Sequence, residues 1–239
     1  MLYNGDCLEV MKDLSDNSID LMFADLPYGQ TSCKWDCLIN LDLFWEQVNR
    51  ICKINCPMFF TCSTKFGVSL INSNPKNFRY DLVWSKSTCS GFLNAKKMPM
   101  SKHEMLYIFY RKLPFYDLSS HTKKLLPPRK TIHYQNNSNI YGKIDRPDHL
   151  RKNGESAYDP PLPNSVLEIK SQKGKHPTQK PLDLIKWCLK YYSKEGDMIL
   201  DPTMGSGTTG VACNDMNRLF IGIELNEDIF KMARERILI

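Results

Sequence analysis

Asp25-Leu26-Pro27-Tyr28 brings a carboxylate, a rigid backbone and a flat ring into four consecutive residues. That combination suits one demanding substrate, the exocyclic amine of a nucleobase, whose lone pair is delocalised into the ring. A carboxylate and a main-chain carbonyl can accept both amine hydrogens, favour a tetrahedral nitrogen and aim its lone pair at an electrophile. A plain turn after a strand would account for the same residues, so other positions must decide. The second group is Asp201-Pro-Thr-Met-Gly-Ser-Gly207, in which Gly205 and Gly207 give a ligand backbone room beside the next helix. Glu224 lies 19 residues after Gly205, close to the roughly 20-residue spacing at which an acid meets an adenosine ribose. A lone Gly-x-Gly is weak evidence, but a strand before it, a helix after it and an acid closing the next strand point to an adenosine-type cofactor.

The elements that must hold these residues can be read from periodicity. Pro181 suits a first helical turn, and Leu182, Ile185, Leu189 and Tyr192 recur at helical spacing until Gly196. A short strand over 198–200 ends at Asp201, a helix is expected over 206–215, and a strand over 219–223 ends at Glu224. A last amphipathic helix carries Ile229, Met232, Ala233, Arg236 and Ile237. Strand, glycine turn, helix, strand and helix form the unit of a doubly wound sheet. Upstream, a strand over 19–24 runs into Asp25, which places the carboxylate at a strand's carboxyl end, where open α/β sheets bind ligands. A helix over 41–54 and strands over 58–61, 81–84 and 105–110 follow. From 111 to about 175 the periodicity fades and Pro, Asn, Lys and Arg accumulate, as in an inserted recognition segment or a loop region.

Charge is unevenly spread over the 239 residues, whose formal net charge is +6. Residues 1–50 hold 3 Lys/Arg against 9 Asp/Glu, 51–110 hold 8 against 2, 111–180 hold 14 against 6, and 181–239 hold 7 against 9. A basic middle between acidic flanks suits a polyanion such as nucleic acid, although a solvated basic surface has the same composition. The nine cysteines, an odd number scattered over the chain, read as reduced thiols rather than a secreted disulfide framework. Cys33, Cys37, Cys52 and Cys56 could be written as a zinc pattern, but buried apolar cysteine is the commoner state and no metal is expected. No apolar run approaches the roughly 18 residues of a membrane span, and the first residues have neither the basic nor the apolar region of a leader. An intracellular protein without membrane attachment is expected.

Taken together, GDC (Gly5 to Cys7), DLPYG (Asp25 to Gly29), HPTQKP (His176 to Pro181), DPTMGSGTTG (Asp201 to Gly210) and FIGIELNEDIFKMARERI (Phe220 to Ile237) resemble the amino-methylating DNA methyltransferases that use S-adenosylmethionine. Their order, catalytic tetrapeptide first and cofactor glycines last, resembles the permuted beta class. The resemblance implies a Rossmann-like, doubly wound and mostly parallel α/β sheet with an antiparallel edge strand. It divides the chain into a catalytic half over 1–111, a target recognition insert over 112–172 and a cofactor-binding half over 173–239.

The resemblance also assigns roles. Asp25 and the carbonyl of Leu26, held extended by Pro27, would hold the target amine, and Tyr28 would stack on a base flipped out of the duplex. Asp6 and Cys7 would meet the cofactor's adenine, Thr178 and Lys180 its methionine end, and Glu224 its ribose. Asp201, Gly205, Gly207 and Thr208 would shape the turn beside it. Lys34, Lys96, Lys97, Lys102, Lys123, Lys124, Arg129 and Lys130 are candidate phosphate contacts. Two residues depart from the family pattern. Leu26 stands where proline is usual, which a main-chain carbonyl tolerates, and Thr203 stands where phenylalanine is usual, which puts local packing under the cofactor in question. An initial Asp goes mostly with adenine N6 and an initial Ser with cytosine N4, so methylation of adenine N6 by direct displacement is the leading expectation. Cytosine N4 methylation and a catalytically inactive DNA-binding subunit are the alternatives. Relatives suggest a homodimer, and the residues are silent on a restriction endonuclease partner.

Overall fold

The structure, a computed structural model, describes residues 1–27, 38–125, 137–138, 142–143, 156–172 and 179–238. The chain opens with β1 (Leu2–Asn4) and α1 (Cys7–Lys12). Asp6 caps α1, its carboxylate accepting the Leu8 amide at 2.7 Å, which satisfies a donor that the helix itself leaves unpartnered. β2 (Leu21–Ala24) is buried at every position, as a strand covered on both faces must be. In α2 (Leu41–Ile51) the buried Phe44, Trp45, Val48 and Ile51 form one helical stripe. The helix stops at Ile51, short of the expected 54, because Cys52 turns extended and Ile19 bridges to it. β3 (Met58–Cys62), α3 (Thr64–Ser73), β4 (Phe78–Ser90) and β5 (Ser101–Phe109) follow.

Beyond β5 lie β6 (Thr122–Leu125), β7 (Asn137–Ser138), β8 (Gly142–Lys143) and β9 (Ser156–Asp159). They belong to a compact unit of their own, Leu118–Asn164, in which β6 pairs antiparallel with β9 and β7 with β8. Everything else forms the main unit. β10 (Val166–Glu168) already pairs with β4 in the main sheet, so the second unit is narrower than the 112–172 segment expected. α4 (Leu182–Tyr192) has Pro181 as its N-cap rather than inside its first turn. It is followed by β11 (Met198–Asp201), α5 (Thr208–Asp215), β12 (Leu219–Glu224) and α6 (Glu227–Leu238). α5 starts two residues later than expected because Gly205 and Gly207 have left-handed backbones, φ +51° and +75°, which a right-handed helix excludes.

The main sheet has eight strands in the order β1-β12-β11-β2-β3-β5-β4-β10. Seven run the same way and β5 runs against them. The antiparallel strand is therefore internal rather than at an edge, because β5 inserts between β3 and β4 and pairs with both. Pleat parity divides the core. Met22, Ala24, Met58, Phe60 and Cys62 pack with Met11, Phe44 and Trp45 of α1 and α2. Phe59 points the other way, its ring 5.1 Å from that of Tyr192 on α4. Among the described residues no helix is long and apolar enough to cross a membrane.

Candidate active site

Strand order reverses between β11 and β2: from β11 the chain moves outward to β12, and from β2 it moves the opposite way to β3. Such a switch point opens a crevice at the strands' carboxyl ends. Leu200 pairs with Met22, which puts Asp201 level with Phe23 and Asp25 two residues further along the neighbouring strand, both at this end of the sheet. The crevice has a volume of about 1840 Å³ and is lined by Asp6, Asp25, Lys180, Asp201, Gly205 and Glu224 among others. Pockets for drug-sized ligands measure roughly 300–1,000 Å³, so this space can take a nucleoside-sized molecule and a second group.

One wall is built by the glycine turn. Asp201 is 4% exposed; its Oδ2 accepts the Thr209 hydroxyl at 2.5 Å and its Oδ1 the Thr203 amide at 3.2 Å. Burial pushes its carboxyl up to about 7 against the pull of those two donors. Glu224, at the end of β12, accepts the Gly205 amide on Oε2 at 3.1 Å and the Asn226 amide on Oε1 at 2.8 Å. Burial raises its carboxyl, and the amides of Asn226 and Gly205 oppose the rise. A side chain at Gly205 would meet no atom within 4 Å, so its absence keeps open space beside the Glu224 carboxylate. A Cβ at Gly207 would lie 2.7 Å from Ile237 Cδ1; that glycine serves the approach of α6 to the turn. Thr208 begins α5 buried, its hydroxyl accepting Arg236 at 3.0 Å. Cys7 is also buried, and burial together with the Asp6 carboxylate pushes its thiol up to about 12, which removes it as a nucleophile near neutral pH.

The other wall comes from strands far apart in the chain. Asp25 Oδ1 accepts the Thr61 hydroxyl of β3 at 2.7 Å, and Oδ2 accepts Lys180 Nζ at 2.5 Å. Lys180 Nζ also lies 3.8 Å from Glu104 Oε2 of β5, and Lys86 Nζ of β4 donates to Glu104 Oε1 at 3.1 Å. Burial alone would lower the Lys180 ammonium, but the Asp25 and Glu104 carboxylates outweigh it and hold it above its ordinary value. Leu26 and Pro27 line the crevice with Asp25. Thr203, the departure from the family pattern, donates its hydroxyl to the Asp25 carbonyl at 3.2 Å. It thereby ties the glycine turn to the start of the Asp25-Leu26-Pro27 segment, a link that phenylalanine could not make.

The structure thus brings Asp6, Cys7, Asp25, Leu26, Pro27, Lys180, Asp201, Gly205, Thr208 and Glu224 around one crevice, with Gly207 in the turn behind it. Tyr28, Lys34, Thr178, Arg129 and Lys130 lie outside the described residues, as do Cys33 and Cys37. Cys52 and Cys56 are buried in the core. Among the described residues no group of three or more His, Cys, Asp and Glu is placed to hold a metal ion. Lys96 and Lys97 are exposed on the β4–β5 connection and Lys102 is exposed at the start of β5; Gly91, Leu93 and Asn94 of that connection line the same crevice. Phe92 and Leu93 at its tip are 81% and 95% exposed. In the second unit Lys124 pairs with Asp159, and Lys123 Nζ sits 5.7 Å from the centre of the Tyr158 ring. Thr61 and Glu104 were missed by sequence reasoning, and Lys86 was read only as a candidate phosphate contact of the basic middle, because their strands offer no local motif; only pairing across the sheet brings them to one wall with Asp25.

A family model described as DNA methylase matches residues 19–235. The chain is 47% identical to the type II methyltransferase M2.DpnII of Streptococcus pneumoniae, over 99% of this chain and 89% of that protein. It is 29% identical to the DNA adenine methyltransferase YhdJ of Escherichia coli, over 99% of this chain and 82% of that protein. Among solved structures, it resembles the cytosine-N4-specific PvuII DNA methyltransferase at a TM-score of 0.71 and 16% identity, covering 100% of this chain and 86% of that one. It also resembles the M1.HpyAVI–SAM complex at a TM-score of 0.64 and 22% identity, covering 99% of this chain and 98% of that one. These two likenesses concern the fold.

Proposed function

The chain belongs to the DNA methylase family, and from that premise we propose that it transfers a methyl group from S-adenosylmethionine to the N6 amine of adenine in DNA. The observation that carries this reading is the joining of Asp25 to the Gly205–Glu224 wall in one crevice at the sheet's switch point. The cofactor fits the residues present. Glu224 offers a buried carboxylate whose two oxygens each hold one backbone amide, and a carboxylate can accept at about four sites, which suits ribose hydroxyls. Gly205 leaves the neighbouring space unfilled, and Asp6 with Cys7 closes the end of the crevice. The order of the motifs along the chain supports the permuted beta class.

When bound, the cofactor supplies an electrophilic methyl group on a sulfonium. In this reading the Asp25 carboxylate and the Leu26 carbonyl accept the two hydrogens of the target amine, so its lone pair is turned out of conjugation. Asp25 is also the group that takes up the proton the nitrogen sheds. Thr61 and Thr203 hold Asp25 from its side chain and its main chain, which keeps the acceptor geometry ready before substrate arrives. Reaching such a carboxylate requires the base to leave the duplex; Tyr28 would stack on it. Lys96, Lys97 and Lys102 would contact phosphates, a role supported by their exposure beside the crevice mouth. Lys34, Lys123, Lys124, Arg129 and Lys130 carry the same role on charge alone, and the Leu118–Asn164 unit that of target recognition on the family resemblance. Adenine is supported by Asp25 as first residue of the tetrapeptide and by the similarity to YhdJ, a DNA adenine methyltransferase. A homodimer rests on the resemblance, and sedimentation measures it.

The test is to incubate the protein with methyl-labelled S-adenosylmethionine and mixed-sequence DNA, digest the DNA and identify the labelled nucleoside. Label in N6-methyldeoxyadenosine is expected, and is lost in Asp25→Ala with cofactor affinity retained. Label in N4-methyldeoxycytidine would overturn the adenine assignment. Cofactor binding with no label on any DNA would instead favour the inactive-subunit reading.

A further inference from the structure

Four charged groups meet at the acceptor wall. Residues two apart on a strand share a face of the sheet; Phe23 pairs with Phe59, Thr61 with Leu106, and Trp84 with Glu104. This register puts Asp25, Thr61, Glu104 and Lys86 on one face across four neighbouring strands, β2, β3, β5 and β4. Lys180 enters over that face from the segment leading into α4. Its ammonium lies 2.5 Å from Asp25 and 3.8 Å from Glu104, whose other oxygen takes Lys86 at 3.1 Å. Both lysine side chains are largely shielded, at 14% and 10% exposure. Two carboxylates and two ammoniums therefore face one another on this wall of the crevice. A further carboxylate on Lys180 would have to compete with Asp25 and Glu104 for the same ammonium.

We propose that Lys180 is a positioning residue for Asp25, anchored by Glu104 and Lys86, rather than the ligand of the cofactor's methionine carboxylate. The proposal deepens the methyl-transfer reading and rests on it. Lys180 fixes Asp25 Oδ2 while Thr61 fixes Oδ1, so the carboxylate can turn neither away from the target amine nor into solvent. Glu104, reached by both lysines, keeps Lys180 from swinging toward any other anion in the crevice.

The experiment compares the parent with Lys180→Met, Lys180→Arg and Glu104→Gln, reading S-adenosylmethionine binding by calorimetry separately from turnover on DNA at saturating cofactor. Lys180→Met should lose turnover by about 10²–10³-fold, the scale of removing one preorganised electrostatic partner, with the cofactor dissociation constant within about threefold of the parent. Lys180→Arg should recover at least a tenth of parental turnover, and Glu104→Gln should lower turnover roughly tenfold without weakening cofactor binding. The opposite split, with cofactor binding weakened more than tenfold in Lys180→Met and turnover at saturation intact, would overturn the proposal and return Lys180 to the cofactor. Should Lys180→Met fail to fold, Lys180→Arg and Glu104→Gln decide by the same split between binding and turnover. A parent protein that binds cofactor but methylates no DNA would instead overturn the methyl-transfer reading itself, and this proposal with it.

Discussion

Replacing Asp201 by Asn should change how the stability of the chain depends on pH. Asp201 is 4% exposed at the end of β11, and burial pushes its carboxyl from 3.8 up to about 7 despite the Thr209 hydroxyl and the Thr203 amide. Below about pH 4 both folded and unfolded chains hold the proton. Between about 4 and 7 the folded chain keeps a proton that the unfolded chain has released, so stability falls as pH rises through that window. At ~1.36 kcal/mol per pH unit the loss amounts to roughly 4 kcal/mol, and it is complete once the pH exceeds the folded value. Asn carries no charge at any of these pH values and retains an oxygen to accept from Thr203 and an amide to donate to Thr209. Urea unfolding of both proteins without cofactor, at half-unit steps from pH 4 to 8, gives the stability of variant minus parent. Other titrating groups, the raised Glu224 included, are common to both chains and largely cancel. The difference should climb by up to ~4 kcal/mol between pH 4 and 7 and then level off. Curves that stay parallel across the window would refute the claim that Asp201 is buried against its charge.

Glu224→Ala should weaken S-adenosylmethionine binding by roughly 1.5–3 kcal/mol, about 10- to 150-fold, the scale of hydrogen bonds to a charged acceptor; unchanged affinity by calorimetry would remove Glu224 from the cofactor site. Gly207→Ala should destabilise the fold by about 1–3 kcal/mol, since it combines φ +75° with a Cβ 2.7 Å from Ile237 Cδ1, and urea unfolding at fixed pH reads the loss. Lys96→Ala with Lys97→Ala should weaken DNA binding evenly across sequences and flatten the salt dependence by about 0.9 for each phosphate that is no longer neutralised; a slope equal to the parent's would take the β4–β5 connection out of the DNA interface.

How far the site was legible follows from how local each part is. The Asp201–Gly207 turn, Glu224 and Asp25 could be placed at strand ends because each sits beside its own strand in the sequence, where a short apolar run ends in an acid. The helices carrying Leu182–Tyr192 and Glu227–Leu238 showed themselves by a clear 3.6-residue stripe. Shorter or less periodic pieces did not: α1 has six residues and fully buries only Cys7 and Met11, and α3 brings Gly67 close under the Tyr107 ring. β5 read as a strand, but its direction and its place inside the sheet depend on pairing with β3 on one side and β4 on the other, which no local pattern encodes.

The sequence by itself determined the local chemistry: a carboxylate before an extended Leu-Pro, two glycines with backbone freedom before a helix, and an acid at the right distance for a ribose. Those properties belong to short stretches of chain and survive whatever surrounds them. Only the tertiary structure decided which charges share a space. Lys180 read as a cofactor ligand when taken with its own motif, yet lies between Asp25, 155 residues away, and Glu104. Thr203, an odd residue in the sequence, became the tie between the two walls. Sheet pairing sets such neighbours, and a Coulomb or hydrogen-bond partner depends on distance in space rather than on position along the chain.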